Sequence, residues 1–301
     1  MNSVKMYTGI IATDAGASEH LSLLVKGKEE KYLFNVGGTA AKVFANNLID
    51  IKQCDLEYLL LNCGQIVIGR SWQSNVGLIA VRESRKKSIP TSVYLDHWDF
   101  REEEFTLDNE LLIPDKFVVF DEYAFQEAKE KFPTSFVELL PNRYLEKISN
   151  QFEHMRKETI QKISNQILYL SEPIDLHRKQ IFDSEHSLNL SSNFSEIDAF
   201  NFFLSNIGKI SNKIETILIR PHPAQNIQEL RNSYLNLDAR IRISDEPSLV
   251  VDIFNSDFIA GAQTYGLVVG ATVGKETFSV IPPDKGKLVI PLPGITMLRN
   301  L

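Results

Sequence analysis

Short, β-branched apolar runs alternate with amphipathic stretches along the whole chain. Apolar runs of strand length bounded by Gly, Pro, Asp or Asn read as buried strands, and apolar residues spaced three and four apart read as helices. In the first half this predicts strands at 5–13, 31–36, 65–68, 89–95, 116–120 and 135–140. Helices follow the small-residue turn Asp14-Ala-Gly-Ala-Ser18, with Ser18 expected to cap, and open at Gly37, Asn75 and Glu122. Residues 56–62 are also apolar. Residues 142–165 are charged, helix-prone and free of Gly and Pro, which predicts a connecting helix, assigned to 146–165. The second half repeats the pattern. Strands are predicted at 166–170, 216–219, 240–243, 258–260 and 277–281, helices at 192–207, 226–237, 248–255 and 265–273, and a polar loop at 175–190.

Strands separated by helices, with polar groups collected at the strand ends, describe doubly wound parallel sheets. The expected fold is α/β with two Rossmann-like domains, 1–145 and 166–301, facing across a cleft. At 301 residues two domains fit the usual domain size. A net charge of −7 argues against a general nucleic-acid binder, because backbone-phosphate binding needs a basic face. Two cysteines, Cys54 and Cys63, lack a disulfide framework, and no apolar run reaches membrane-spanning length. The expectation is a reduced, cytoplasmic protein, at most peripheral to the inner face of the membrane. No Cys/His spacing suggests a metal, and none is expected as cofactor.

The candidate chemistry lies at strand ends. Thr216–Ile219 runs into Arg220-Pro221-His222-Pro223, where two prolines hold the chain extended and present a cation and an imidazole at a carboxyl sheet edge. The turn Gly261-Ala-Gln263-Thr264-Tyr265-Gly266 precedes a helix, whose first N–H groups and the Thr264 hydroxyl suit an anion. These two segments are expected on consecutive loops of one edge, fitting a diphosphate or a nucleotide phosphate. For either glycine taken alone, tight helix–sheet packing is the stronger reading. In the first half Asp14, Gly16, His20, Arg70, Ser71, Asp96, His97, Asp121 and Glu122 all stand at or near strand ends. Asp14 is the first choice for a general base, with helix capping as its other role. Asp96-His97-Trp98 either binds substrate or plugs the sheet edge.

Two Rossmann-like halves, the second carrying Arg220-Pro-His-Pro223 and then the Thr264 turn, resemble bacterial glycosyltransferases of the GT-B fold. Sialyltransferase-like and capsule or lipopolysaccharide enzymes are the nearest in pattern. In that family a His-Pro dipeptide and a later Ser/Thr motif hold the phosphate of a CMP-sugar donor. The resemblance carries onto His222, Pro223 and Thr264; with their neighbours, donor binding is expected from Arg220, His222, Pro223, Gln263, Thr264 and Tyr265, and catalysis from Asp14 and His222. Acceptor binding is expected from the strand-end residues Gly16, His20, Arg70, Ser71, Asp96 and His97 of the first domain, and the resemblance implies a nucleotide sugar and a glycan as substrates. The family's acidic motif is only approximated by Asp14-Ala-Gly16, and Gln263-Thr264 replaces a hydroxyl pair. A metal-independent glycosyltransferase is the leading expectation. A nucleotide-sugar epimerase or hydrolase, and a non-catalytic nucleotide-sugar-binding protein, share the architecture.

Overall fold

A computed structural model describes residues 7–47, 49–71, 74–98, 100–158, 165–175, 193–291 and 293–301. The chain forms two compact units, Met1–Tyr144 and Leu145–Leu301.

In the first unit β1 (Tyr7–Ala12), β2 (Tyr32–Val36), β3 (Cys63–Gly69), β4 (Thr91–Tyr94), β7 (Lys116–Val119) and β8 (Phe136–Leu139) form one sheet in the order β2-β1-β3-β4-β7-β8. Every pairing is parallel. Between strands run α1 (Ala15–Val25), α2 (Gly38–Asn46), α3 (Leu56–Asn62), α4 (Val76–Lys86) and α5 (Glu122–Lys131). Ile10, Leu21, Phe34 and Phe44 are fully buried between sheet and helices. The apolar stretch 56–62 is α3, opened by Asp55, whose carboxylate accepts the Tyr58 N–H at 2.7 Å. A small antiparallel hairpin, β5 (Thr106–Leu107) and β6 (Glu110–Leu111), joins β4 to β7. Asp108 and Asn109 turn it at φ 53° and 60°, the left-handed pair that a two-residue hairpin needs.

α6 (Arg143–Glu158) covers the described part of the expected connecting helix; 159–164 lie outside the described residues. The second unit holds β9 (Gln166–Leu170), α7 (Glu196–Ile210), β10 (Thr216–Arg220), α8 (Ile227–Tyr234), β11 (Ile241–Ile243), α9 (Leu249–Asn255), β12 (Phe258–Gly261), α10 (Tyr265–Thr272), β13 (Glu276–Ser279) and β14 (Ile295–Met297). Its sheet is also parallel throughout, ordered β11-β10-β9-β12-β13-β14. The core is aromatic: Tyr169 on β9 meets Phe200 edge-on at 4.7 Å, and Phe200 meets Tyr234 at 4.6 Å. α7 starts at Glu196, four residues beyond the expected position 192, behind Ser195, which forms a reciprocal capping box with Asp198. Nearly all of the expected polar loop 175–190 lies outside the described residues. β14 is a strand the apolar pattern does not predict, and it places the segment after Pro291 on the second sheet. No helix among the described residues is long and apolar enough to cross a membrane.

Candidate functional site

In an open parallel sheet, the strands either side of the reversal in strand order splay their following loops and leave a crevice at their carboxyl ends. In the first sheet that reversal falls between β1 and β3, and in the second between β9 and β12.

At the first reversal the structure brings together Asp14 after β1, Ser71 after β3 and Asp96 after β4. Asp14 occupies the N-cap position of α1, yet its side chain makes no capping bond. It accepts from Ser71 Oγ at 3.0 Å, and Thr13 Oγ1 donates to Ser71 Oγ at 2.6 Å. Ser18, expected as the cap, lies a turn inside α1 and donates to the Asp14 carbonyl at 2.5 Å, because the helix begins three residues earlier. Gly16 is exposed, and a Cβ there would fall 1.7 Å from Asp96 Oδ2. The missing side chain is what lets the Asp96 carboxylate lie flush on the start of α1, where it accepts the Ala17 N–H. Asp96 keeps some solvent contact, but its carboxylate is crowded by protein atoms. Burial pushes its pKa up to about 6, against the opposing pull of the Arg70 charge and with a smaller push from Asp14.

Three first-unit residues expected at an acceptor are held differently. His20 faces inward, 6% exposed, stacked on Phe120 with ring centroids 3.6 Å apart. Burial pushes its imidazole down to about 3, so it is neutral and acts as a packing ring. The Arg70 side chain is buried and its guanidinium pairs with Glu104, so it reaches Asp96 through its field rather than an acceptor by contact. His97 is half-buried with its ring 5.6 Å from that of Trp98. Trp98 itself plugs the sheet edge: it is 5% exposed and its indole N–H donates to Asp121 Oδ2 at 2.8 Å. Asp121 Oδ1 meanwhile caps α5 through the Ala124 N–H.

In the second unit the His-Pro and Thr264 segments leave the carboxyl edge of one sheet, but they are not adjacent as expected. β9 lies between β10 and β12, so the Ser171-Glu172-Pro173 loop separates them. Arg220 does not present a free cation. Its Nη1 donates to Asp252 Oδ2 at 2.6 Å and to the Glu246 carbonyl at 2.7 Å, and its Nη2 to the Pro247 carbonyl at 3.0 Å. Asp252 is buried and also accepts from Ser244 Oγ at 2.7 Å. The guanidinium thus fastens the loop between β11 and α9. Arg220→Ala is expected to cost about 3 kcal/mol, since it strands a buried carboxylate, measurable as a lower urea midpoint with an unchanged slope.

His222 is half-buried and its orientation is fixed. The Ala224 N–H donates to Nδ1 at 3.2 Å, which leaves the proton on Nε2 as a hydrogen-bond donor. The His222 N–H donates to Gln225 Oε1 at 2.8 Å, and Gln225 also bonds the carboxylate of Glu196. Pro223 is exposed beside it. Thr264 caps α10, accepting the Gly266 N–H at 3.3 Å, and Tyr265 is half-buried at the first helical position. Gly266 is required by packing, as a Cβ there would sit 2.6 Å from Leu170 Cδ1. Gln263 is structural at both ends: its N–H donates to Glu172 Oε2 at 2.8 Å and its Oε1 accepts the Val289 N–H at 3.2 Å.

Glu172 is the residue the sequence reading passed over. It lies at the second reversal and accepts the backbone N–H groups of Ala262 and Gln263. Burial pushes its pKa up to about 7, against those two bonds and helped by the Glu196 charge. Its signal in the sequence was a carboxylate two residues past a buried strand, braced by Pro173.

No protein-family model and no curated protein sequence matches the chain. Solved structures do. A UDP-GlcNAc 2-epimerase from Neisseria meningitidis bound to UDP-GlcNAc is 10% identical, with TM-score 0.62 over 91% of this chain and 82% of that one. A UDP-GlcNAc 2-epimerase from Methanocaldococcus jannaschii is 12% identical, with TM-score 0.61 over 97% and 88%. A glycosyltransferase from Rickettsia africae ESF-5 is 11% identical, with TM-score 0.51 over 92% and 79%. At such identities the likeness concerns architecture: this chain has the GT-B-like α/β fold of two helix-flanked parallel sheets that UDP-GlcNAc 2-epimerases also have.

Proposed function

We propose that the chain is a nucleotide-sugar enzyme, metal-independent, whose first unit supplies acid–base carboxylates and whose second unit holds the nucleotide phosphate. The observation that carries this reading is Asp96: a carboxylate at a sheet's carboxyl edge, laid against a glycine and held near a pKa of 6, where it both takes and returns protons at neutral pH. Asp14 supports it, because its side chain forgoes the capping bond its position offers and turns to Ser71 instead. For glycosyl transfer, ionised Asp96 removes the acceptor hydroxyl proton as that oxygen bonds to the sugar carbon and the carbon's bond to the nucleotide phosphate breaks. The His222 Nε2–H and the Thr264–Tyr265 turn then steady the charge gathering on the departing phosphate. This moves the base assignment from Asp14 to Asp96, with Asp14 as its neighbour.

A second reading, epimerisation of the nucleotide sugar, is favoured by the two epimerase structures that share the fold at TM-scores of 0.62 and 0.61. It needs the same carboxylates, to remove and return a proton at a sugar carbon, and no acceptor. One experiment separates them. A thermal-shift screen against UDP, CMP, GDP and CDP is expected to show selective stabilisation by one nucleotide, with UDP first on the strength of the UDP-GlcNAc bound to the Neisseria meningitidis epimerase. The matching nucleotide sugar is then incubated alone. Conversion to an epimer without acceptor selects the second reading, and turnover only with a sugar acceptor selects the first. Equal, negligible stabilisation by all four nucleotides would overturn the nucleotide reading altogether.

A further inference from the structure

The two sheets share a feature that no neighbour's description assigns. At each reversal a carboxylate from a strand end rests on backbone N–H groups: Asp96 on Ala17, and Glu172 on Ala262 and Gln263. In the second unit those amides belong to the same turn, residues 261–266, that the proposed function gives to a nucleotide phosphate. A phosphate approaching the turn therefore meets two of its amides already held by the protein's own anion, the Gln263 N–H at 2.8 Å from Glu172 Oε2. Glu196 on α7 faces Glu172 with like charge, Asp175 after β9 acts in turn on Glu196, and Tyr169 on β9 is held neutral by burial. On β10 Arg220 is neutralised by Asp252, and after it Gln225 bonds both the His222 N–H and the Glu196 carboxylate.

Resting on the nucleotide reading, we infer that Glu172 is a proton-operated stand-in for ligand phosphate: a nucleotide phosphate engages the 261–266 turn as Glu172 takes up a proton from solvent and gives up its hold on the Ala262 and Gln263 amides. Two anions on one turn repel, so the incoming phosphate raises the carboxyl pKa further and binding takes up a proton. The sign follows. Affinity is highest below about pH 6, where Glu172 is already neutral, and falls as pH rises through about 7, by about tenfold up to about pH 8. The exchange links ligand occupancy to local acidity without any moving lid.

The test uses the full chain and UDP-GlcNAc, whose phosphodiester groups stay ionised throughout this range, so that any proton taken up belongs to the protein. Calorimetry in two buffers of different ionisation enthalpy at neutral pH is expected to show uptake of roughly half a proton or more per ligand. Glu172→Gln is expected to take up none and to bind at about pH 8 as wild type does at about pH 6. The ligand-free arm follows the Gln263 amide by NMR, which is expected to titrate near pH 7 in wild type and to lose that step in Glu172→Gln. Glu172→Asp, which keeps a titrating carboxyl but draws it back from the amides that favour its charged form, is expected to keep a titration step, at a shifted midpoint, and it guards against a misfolded glutamine variant. Binding without proton uptake, or uptake that persists in Glu172→Gln, overturns the inference and leaves the nucleotide reading standing. A Gln263 amide that titrates while UDP-GlcNAc and free nucleotides fail to bind at any pH overturns both.

Discussion

Asp96→Asn is expected to lower turnover by about two to four orders of magnitude while leaving the fold intact. Asparagine matches the carboxylate in shape and still accepts the Ala17 N–H, but it cannot take a proton. In the wild type the rate is expected to fall as pH drops below about 6, because the base must be ionised and its pKa lies there. In the variant that limb disappears. Stability moves the other way. The fold favours the neutral carboxyl, so the contribution of Asp96 to stability is fully present below about 3.8, the ordinary Asp value, and is lost as pH rises through about 6. At about pH 8 Asp96→Asn should therefore melt no lower than wild type. A variant that is inactive because it is unfolded would contradict this. Gly16→Ala gives an independent check, since its methyl group falls 1.7 Å from Asp96 Oδ2 and must push the carboxylate off α1. It is expected to share the kinetic defect with Asp96 chemically intact, and full activity in Gly16→Ala would remove Asp96 from the mechanism.

His222→Ala is expected to reduce kcat by about a hundredfold or more, with a smaller change in acceptor KM. The reason is the fixed tautomer: Nδ1 is occupied by the Ala224 N–H, so the donor at Nε2 is oriented before any ligand arrives. A preorganised donor acts most strongly where charge develops, on the departing phosphate, and least on an acceptor bound elsewhere. His222→Gln is expected to recover part of the loss through its amide N–H. Equal turnover in His222→Ala and wild type would exclude the phosphate role.

The strands were legible because β-branched runs such as Thr216–Ile219 and Gln166–Leu170 are bounded by Pro, Ser or Asn, and burial on both faces leaves them continuously apolar. β14 was not, since Ile295-Thr-Met297 is too short to form a pattern and owes its state to the neighbouring β13. The hairpin at Asp108-Asn109 was hidden in a charged segment, although its two turn residues were a usable signal. At the site, position along a strand end was enough to gather Asp14, Gly16, Ser71 and Asp96 on neighbouring loops. It was not enough to say which way a side chain points. His20 and Arg70 turn into the first unit, and Arg220 turns toward Asp252, because a partner far along the chain is available there. Strand order also escaped: parallel strands are sorted by tertiary packing, and the insertion of β9 between β10 and β12 is what brings Glu172 into play.

The sixth strand of the second sheet has a practical corollary. Ile295–Met297 shields the flank of β13, and Leu298, fully buried, seals the aromatic cluster beneath it. Trimming those residues would bare a row of unpaired peptide groups beside an unplugged apolar hollow, the combination that recruits other chains into aggregates. Shortened versions of this protein should precipitate before they lose helical content.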